Sequence, residues 1–252
     1  MLKDERQARI LDLLRTEGRV VASELPERIG VSGHTVRRDL AELSEAGHLQ
    51  RVHGGAVARS RVASTYEGRS RQESGGKIAV ARAAATLWSP GAVAILDGGT
   101  TALALVDALP ADHHGTAVTH SPPVAVALAR LPGVEVVVLG GTLDRRAMVT
   151  VGAQTVRGYE SVAADVCFLG VWSLSPEGGV SSGYHEEAEV RRTMVQRADR
   201  VVALASRDKL GTVAAFASAP ATALTHLATE PGLPDALLAP YRELGIEVVT
   251  AG

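Results

Sequence analysis

With 252 residues, the chain is long enough for one small and one medium domain, each with its own core. A hydrophobic content of 46% excludes a disordered chain, and an aromatic content of only 3% requires a core of Ala, Val, Leu and Ile. The formal net charge of −2 does not indicate a nucleic-acid partner, so the distribution of the charges is more informative than their sum.

The N-terminus, MLKDERQAR, is charged and lacks the apolar centre of a signal peptide. No uninterrupted apolar run approaches the ~18 residues that span a bilayer. The single cysteine, Cys167, lies in an apolar strand-like run, which rules out an internal disulfide and favours a small core residue over a reactive thiol. These features predict a cytoplasmic protein with no membrane partner.

Three helices are predicted at the N-terminus. The first covers residues 4–17 and has an aliphatic face. Ser23 is expected to cap a short second helix that ends at Ile29, and Ser32 a third helix over 33–46. Two short helices joined by a tight turn containing Gly are typical of a helix-turn-helix.

The third predicted helix has two distinct faces. Val36, Leu40 and Leu43 form one apolar stripe, as expected for packing against the other helices. Its N-terminal end carries side chains that can contact bases and phosphates in the major groove. The DNA contacts are therefore assigned to Ser32, His34, Thr35, Arg37 and Arg38. A solvated helix end with two ordinary surface arginines is the alternative.

The segment after this helix, residues 48–57, alternates apolar and polar residues and has a turn signal at Gly54-Gly55. It is predicted to form a β-hairpin wing that brings Arg51 and His53 to the DNA. Between positions 33 and 71 the chain has seven arginines against four acidic residues, so the basic excess lies where phosphates would be bound.

Three runs in this region, RQARILDLL, LPERIGVSGHTVRRDLAEL and RVHGGAV, resemble the winged helix-turn-helix of the DeoR family of bacterial transcription regulators. The resemblance covers nearly all of residues 5–58. It implies a DNA-binding domain at 1–58, a double-stranded DNA operator as partner, and a homo-oligomer on repeated half-sites.

Residues 59–76 are rich in Arg, Ser and Gly and are predicted to be a linker. Within them, Tyr66 and Arg69 match a usual F-x-x-R of the family, which implies docking onto a domain. Over 77–252, apolar strands alternate with helices, which predicts a mainly parallel α/β sheet covered on both faces. The predicted strands are 92–98, 116–120, 134–139, 165–171, 201–205, 224–228 and 246–250, and the predicted helices are 77–88, 101–109, 122–130, 153–162, 185–198 and 234–244.

Ligands of such sheets bind at the carboxyl ends of the strands, where four polar loops are predicted. The first loop, DGGTT, combines two glycines, two hydroxyls and a helix N-terminus, which suits an anion. These loops predict a pocket for a small anionic metabolite, most simply a phosphate ester. There is no G-x-G-x-x-G or G-x-x-x-x-G-K-[ST], so dinucleotides and nucleoside triphosphates are not supported, and no cofactor is expected.

LDGGTT, LGGTL, CFLG and EGGVSSGYHEEAEVRR resemble the sensor domain of the same family. The resemblance implies a fold similar to ribose-5-phosphate isomerase and a phosphorylated sugar or related metabolite as effector. It assigns anion binding to Asp97, Gly99, Thr100, Thr101, Ser121, Gly141 and Lys209. Glu186 and Glu187 match an acidic run of the family; they could accept sugar hydroxyls or simply favour the helix N-terminus.

Three departures from the family pattern lie at the expected pocket. His120 stands in the usual T-N-S loop, a usual Asn is replaced near Tyr184, and the usual A-D-S-S-K is ASRDK, with Ser206. These departures leave the effector open. His120 and His185 are not expected to bind a metal, since no third ligand has suitable spacing.

Three functions remain. A ligand-responsive regulator of carbohydrate-metabolism genes, expected to be a repressor, accounts for both halves of the chain and requires no catalytic residue. A phosphosugar isomerase could use Asp97, Glu186 or Glu187 as a base, but it does not need the N-terminal DNA-binding motif. A DNA-binding regulator with an inactive sensor pocket is the third.

Overall fold

The structure is a computed structural model that describes residues 1–17, 19–52, 54–59, 65–71 and 75–251. Its N-terminal part contains three helices and a small antiparallel sheet, in which β3 is the central strand and pairs with both β1 and β2. The elements are α1 (Lys3–Glu17), β1 (Arg19–Val21), α2 (Leu25–Ile29), α3 (Gly33–Glu45), β2 (Leu49–Val52) and β3 (Gly55–Arg59). The predicted winged helix-turn-helix is confirmed, with β2 and β3 as the wing.

Two local predictions in this part are wrong. The N-cap of α2 is Glu24, without a side-chain hydrogen bond, and not Ser23, because the helix begins one residue later than the sequence suggests. Gly55 lies in β3 and not in the turn; a Cβ there would lie 2.0 Å from the carbonyl oxygen of Val20, so the close approach of β1 requires glycine. The cap of α3 is as predicted: the amide of Thr35 donates to Oγ of Ser32 at 3.2 Å.

The three N-terminal helices share one aliphatic core. Val36, Leu40 and Leu43 of α3 are buried against side chains of the other two helices, among them Ile10 and Leu25. Because one face of α3 is fixed in this way, its opposite face is held outward in a defined orientation.

The sensor part is built on a seven-stranded parallel sheet in the order β16-β15-β12-β9-β4-β5-β6. Aliphatic side chains pack on both faces of this sheet, which confirms the predicted α/β class. The remaining elements are α4 (Tyr66–Arg71), α5 (Gly75–Ala85), β4 (Val93–Leu96), α6 (Thr100–Ala108), β5 (His114–Thr119), α7 (Pro122–Leu128), β6 (Gly133–Val138), β7 (Thr142–Asp144), β8 (Val149–Val151), α8 (Ala153–Glu160), β9 (Ala164–Gly170), β10 (Ser173–Ser175), β11 (Gly179–Ser182), α9 (His185–Gln196), β12 (Ala198–Leu204), β13 (Thr212–Val213), β14 (Phe216–Ala219), β15 (His226–Thr229), α10 (Asp235–Glu243) and β16 (Glu247–Thr250), with short 3₁₀ helices at Arg207–Lys209 and Ala221–Ala223.

The strand order reverses between β4 and β9. The chain first builds outward from β4 to β6 and then returns to place β9, β12, β15 and β16 on the other side. The loops after β4 and β9 therefore diverge at this point, which leaves a crevice at the carboxyl ends of the strands.

The segment predicted as a linker contains the end of β3 and the helix α4. The backbone amide of Tyr66 donates to the carbonyl of Arg146 at 2.7 Å, and Nζ of Lys77 donates to the carbonyl of Arg69 at 2.8 Å. Helix α4 is thus attached to the sensor part. The domain boundaries at 58/59 and 76/77 stay predictions.

The wing and the sensor part share a sheet. Strand β13 pairs in parallel with β3, with Thr212 opposite Ala58 and Val213 opposite Arg59. A salt bridge of 2.6 Å between Arg19 and Glu177 lies nearby. Among the described residues, no helix is both long and apolar enough to cross a membrane.

Candidate functional site

The outward face of α3 carries the predicted DNA contacts. His34, Arg37 and Arg38 are exposed, and Arg38 forms an i,i+4 ion pair with Glu42 at 3.2 Å. The hydroxyl groups of Ser32 and Thr35 lie 2.9 Å apart as part of the helix cap. The N-terminal half of the helix therefore exposes the guanidinium groups of Arg37 and Arg38, which have the chemistry to bond base edges in a major groove.

The wing extends this surface. Arg51 is exposed on β2, so its guanidinium group is accessible to solvent, and its predicted contact with DNA stays a prediction. His53, the other predicted wing contact, lies outside the described residues.

A pocket opens at the reversal point of the parallel sheet. The loop after β4 forms one wall, from Gly98 to Thr101, and leads into α6, whose N-cap Gly99 has no side-chain cap. Gly99 has a φ of 105°, and a Cβ on Gly98 would lie 2.1 Å from Val149, so both positions require glycine. The uncapped first turn of α6 offers backbone N–H groups to an anion.

Four cationic side chains line this pocket: Arg69, Lys77, Arg191 and Lys209. They come from α4, α5, α9 and the loop after β12, so distant parts of the chain contribute to one site. Burial, and then the neighbouring charge of Lys209, lower the pKa of Lys77; burial lowers the pKa of Arg69. A bound anion would offset the repulsion between these neighbouring positive side chains, so their grouping favours an anionic ligand.

A buried ion-pair network supports the pocket from below. Nε of Arg191 donates to Asp97 and its Nη1 to Glu187, both at 2.8 Å. Burial alone would lower the pKa of Arg191, but Asp97 and Glu187 outweigh that effect and raise it. Trp172 donates its indole N–H to Glu187 at 2.8 Å, and the guanidinium of Arg69 lies 4.8 Å from the Trp172 ring centroid. The network fixes Arg191 as a permanent cation facing the pocket.

His120, one of the departures from the family pattern, lies beneath the same network. Its Nδ1 is 2.7 Å from the hydroxyl of Tyr159 and its Nε2 is 3.6 Å from Asp97. Burial lowers the pKa of His120 to about 4, with Asp97 opposing, so the ring is neutral at neutral pH. The neutral ring shares one hydrogen bond with the Tyr159 hydroxyl through Nδ1, and its Nε2 faces the carboxylate of Asp97.

The structure separates the predicted effector residues into three groups. Gly99, Thr100, Thr101 and Lys209 line the pocket. Asp97 and Glu187 are buried beneath it and hold Arg191, so they support the site without lining it.

Ser121, Gly141 and Glu186 are not among the residues that line this pocket, so their assignment to effector binding stays a prediction. Oγ of Ser121 donates to the carbonyl of Met148, because the β7–β8 hairpin covers the end of β5. Gly141 is tightly packed, and a Cβ there would lie 2.2 Å from Oγ1 of Thr155. Glu186 is exposed at the start of α9 and lines a separate hollow.

Ser206 lines the pocket, where the sequence placed it, whereas several other lining residues were not assigned to the effector, among them Arg69, Lys77, Trp172 and Arg191. Arg69 carried one signal, its match to the F-x-x-R pattern. Arg191 carried another, since it follows Glu187 by four positions in the run HEEAEVRR, the spacing of an ion pair on one helix face. Within the described ranges, no group of three or more His, Cys, Asp or Glu side chains is placed to hold a metal ion.

A winged helix-turn-helix joined to an α/β domain with a polar pocket defines a DNA-binding transcription regulator with a sensor domain. Two family models match the chain: a DeoR-like helix-turn-helix domain over residues 6–62, and a DeoR C-terminal sensor domain over 72–231. Because the second model alone spans more than half of the chain, the chain belongs to the DeoR family of transcription regulators, and the resemblance seen in the sequence is confirmed.

Individual relatives agree. The HTH-type transcriptional regulator GlpR of Haloferax volcanii is 37% identical over 214 residues, which cover 84% of this chain and 83% of that relative. The HTH-type transcriptional repressor GlcR of Bacillus subtilis is 32% identical over 232 residues, covering 91% and 89%. A solved ribose 5-phosphate isomerase A of Methanocaldococcus jannaschii matches 54% of this chain and 53% of its own at 16% identity, with a TM-score of 0.39; this likeness concerns the fold alone.

Proposed function

We propose that the chain is a repressor of carbohydrate-metabolism genes, and that a phosphorylated sugar or a related phosphate ester in the pocket controls its affinity for an operator. The observation that carries this proposal is the convergence of Arg69, Lys77, Arg191 and Lys209 on the uncapped N-terminus of α6. Charged donors and backbone amides around one cavity suit a dianionic phosphate.

The DNA-binding role of individual residues belongs to the same proposal. His34, Thr35, Arg37 and Arg38 would read bases or phosphates from the end of α3, with Ser32 presenting that end and Arg51 and His53 gripping the backbone or minor groove. A single wing and helix cover a short site, so we infer that a homo-oligomer binds repeated half-sites.

An isomerase activity has less support. Asp97 and Glu187, which could serve as a catalytic base, are both buried and bonded to Arg191, and Glu186 lies in a different hollow. We therefore infer a binding pocket and not a catalytic one. Incubating the full chain with pentose and hexose phosphates tests this inference, since measurable interconversion would contradict it.

Fluorescence anisotropy on DNA from upstream of its own gene tests the function. The protein is titrated at fixed salt with and without inorganic phosphate, ribose 5-phosphate and glucose 6-phosphate, with free ribose and glucose as matched controls. Specific binding that a phosphorylated compound weakens, and that the free sugar does not, is expected. Specific binding that no compound changes would instead favour an inactive sensor.

Two variants separate the two sites. Arg37→Ala is expected to weaken operator binding by about 1–3 kcal/mol, through the loss of a bidentate base contact, and to leave phosphate binding intact. Lys209→Ala is expected to bind the operator normally and to lose the response to the phosphorylated compound. The opposite pattern in either variant would contradict the assignment of its site.

A further inference from the structure

One short segment, Lys209–Val213, reaches from the pocket to the wing. Lys209 lines the pocket, and only three residues later Thr212 begins strand β13. That strand pairs in parallel with the end of β3, through Thr212 with Ala58 and Val213 with Arg59. The two ends of the segment therefore contact the proposed effector site and the DNA-binding wing.

Hydrogen bonds hold this segment at Gly211 and at Thr212. Oγ1 of Thr212 donates to the carbonyl of Lys209 at 2.8 Å, so the first residue of β13 is tied to the backbone of the pocket lysine. The amide of Gly211 donates to the hydroxyl of Tyr241 at 3.2 Å, and that hydroxyl donates to Leu174 at 2.9 Å. Lys209 and the start of β13 are therefore joined by a side-chain hydrogen bond, and Gly211 between them is held to Tyr241.

Lys209 has a partner that a bound anion would replace. Its ammonium group lies 2.9 Å from the carboxylate of the exposed Asp208. The side chain of Lys209 is 28% exposed and that of Asp208 is 66% exposed, so solvent partly screens this pair, and a phosphate group beside the α6 N-terminus would compete with Asp208 for Lys209. An exchange of partners would reposition Lys209 and, because its carbonyl accepts the bond from Thr212, the start of β13.

We propose that Lys209–Val213 is the link through which the occupied pocket changes the attachment of β3 to β13 and thereby the orientation of the recognition helix. This inference rests on the proposed function, since it assumes an anion in the pocket. The link assumes two arrangements of the wing, one that binds the operator and one that does not. A ligand shifts the equilibrium between them only if it binds one arrangement more tightly than the other. Operator binding must then change the affinity of the pocket for the ligand by the same factor.

A second attachment of the N-terminal part, the salt bridge between Arg19 and Glu177, is weaker. The Arg19–Glu177 salt bridge is exposed by 38% and 29% at its two side chains, so it contributes at most about 1 kcal/mol. In contrast, Val213 is buried, and a Cβ on Gly178 would lie 2.6 Å from its Cγ1. The strand β13 is thus the closely packed part of this junction.

A reversible cross-link tests the link. Cα atoms opposite each other in neighbouring strands lie about 5 Å apart, within the range of about 4.4–6.8 Å that a disulfide spans. The double variant Ala58→Cys with Thr212→Cys can therefore fix β3 to β13 on oxidation. The native Cys167 is fully buried and does not compete. The same protein after reduction is the matched control for the cross-link. Because both of its forms lack the Thr212 hydroxyl, Thr212→Val measures separately how much of the response depends on the bond to Lys209.

Calorimetry with glucose 6-phosphate and inorganic phosphate measures pocket binding, and anisotropy measures operator binding. In the reduced protein, the bound compound is expected to change operator affinity by a factor on the order of 5–150, typical of coupled sites. In the oxidised protein, the compound is expected to bind and the operator affinity to change less than about twofold, because the link can no longer move.

A full response in the oxidised protein would overturn the proposal and leave the proposed function standing, with coupling through another connection such as α4. Absence of binding to either form would refute the proposed function and the link with it. Hydrogen exchange of the wild-type protein gives an independent measurement: phosphate is expected to change the protection of amides in β3, and not in β16. Changed protection at 98–101 without any change in β3 would also overturn the link.

Discussion

Replacing His120 with Asn, the residue usual in the family at this position, should remove a defined part of the dependence of stability on pH. His120 is buried and neutral, with a pKa of about 4 against an ordinary 6.5. As the pH falls, the unfolded chain takes up the proton first, so the folded state loses stability between pH 6.5 and about 4. At higher pH, this histidine makes no pH-dependent contribution.

The two pKa values give a loss of about 2 kcal/mol between about pH 8 and about pH 5 from this one side chain. Urea denaturation of the wild type and of His120→Asn across this range measures it. The stability of the variant should fall less steeply by that amount, on top of a constant offset from the lost bond to Tyr159. His34→Asn, at an exposed position, is the control and should follow the wild type. Parallel curves for the wild type and His120→Asn would refute a buried neutral ring.

Two further predictions concern the N-terminal part. Ser32→Ala should lower stability by about 1 kcal/mol through loss of the α3 cap, whereas Ser32→Asp should restore the cap but weaken operator binding, because a carboxylate would face phosphates. Thermal unfolding and anisotropy separate the two effects, and normal operator affinity in Ser32→Asp would remove this residue from the DNA surface. Gly55→Ala should abolish operator binding, since the new Cβ would lie 2.0 Å from the Val20 carbonyl, while pocket binding measured by calorimetry stays unchanged; an intact operator complex would contradict that geometry.

Much of the fold could be predicted because it depends on local signals. The alternation of apolar strands with helices indicated all seven strands of the parallel sheet, and the Ser32 cap with the stripe through Val36 and Leu43 indicated the recognition helix. Strand β13 has only two residues, too few for any periodicity. This strand forms only by pairing with β3, which lies more than 150 residues earlier in the chain.

The site was harder to predict than the sheet. Ser121 and Gly141 follow strands at the correct edge, but the β7–β8 hairpin packs against that part, and the pocket lies at the reversal point between β4 and β9. Asp97 was expected to contact the effector because of its place in the loop. Its actual partner, Arg191, is 94 positions away, and a pairing over that distance depends on the tertiary structure.

The sheet shared by the wing and the sensor part has a consequence for how such regulators diversify. Paired strands recognise one another through main-chain groups, which every sequence supplies. A junction made in this way tolerates replacement of either partner as long as both backbones keep their course. A chimera that takes its first 59 residues from one relative and its sensor part from another would then combine the operator preference of the first with the effector response of the second. The recognition helix and the pocket would accordingly change independently across this main-chain pairing of β3 with β13.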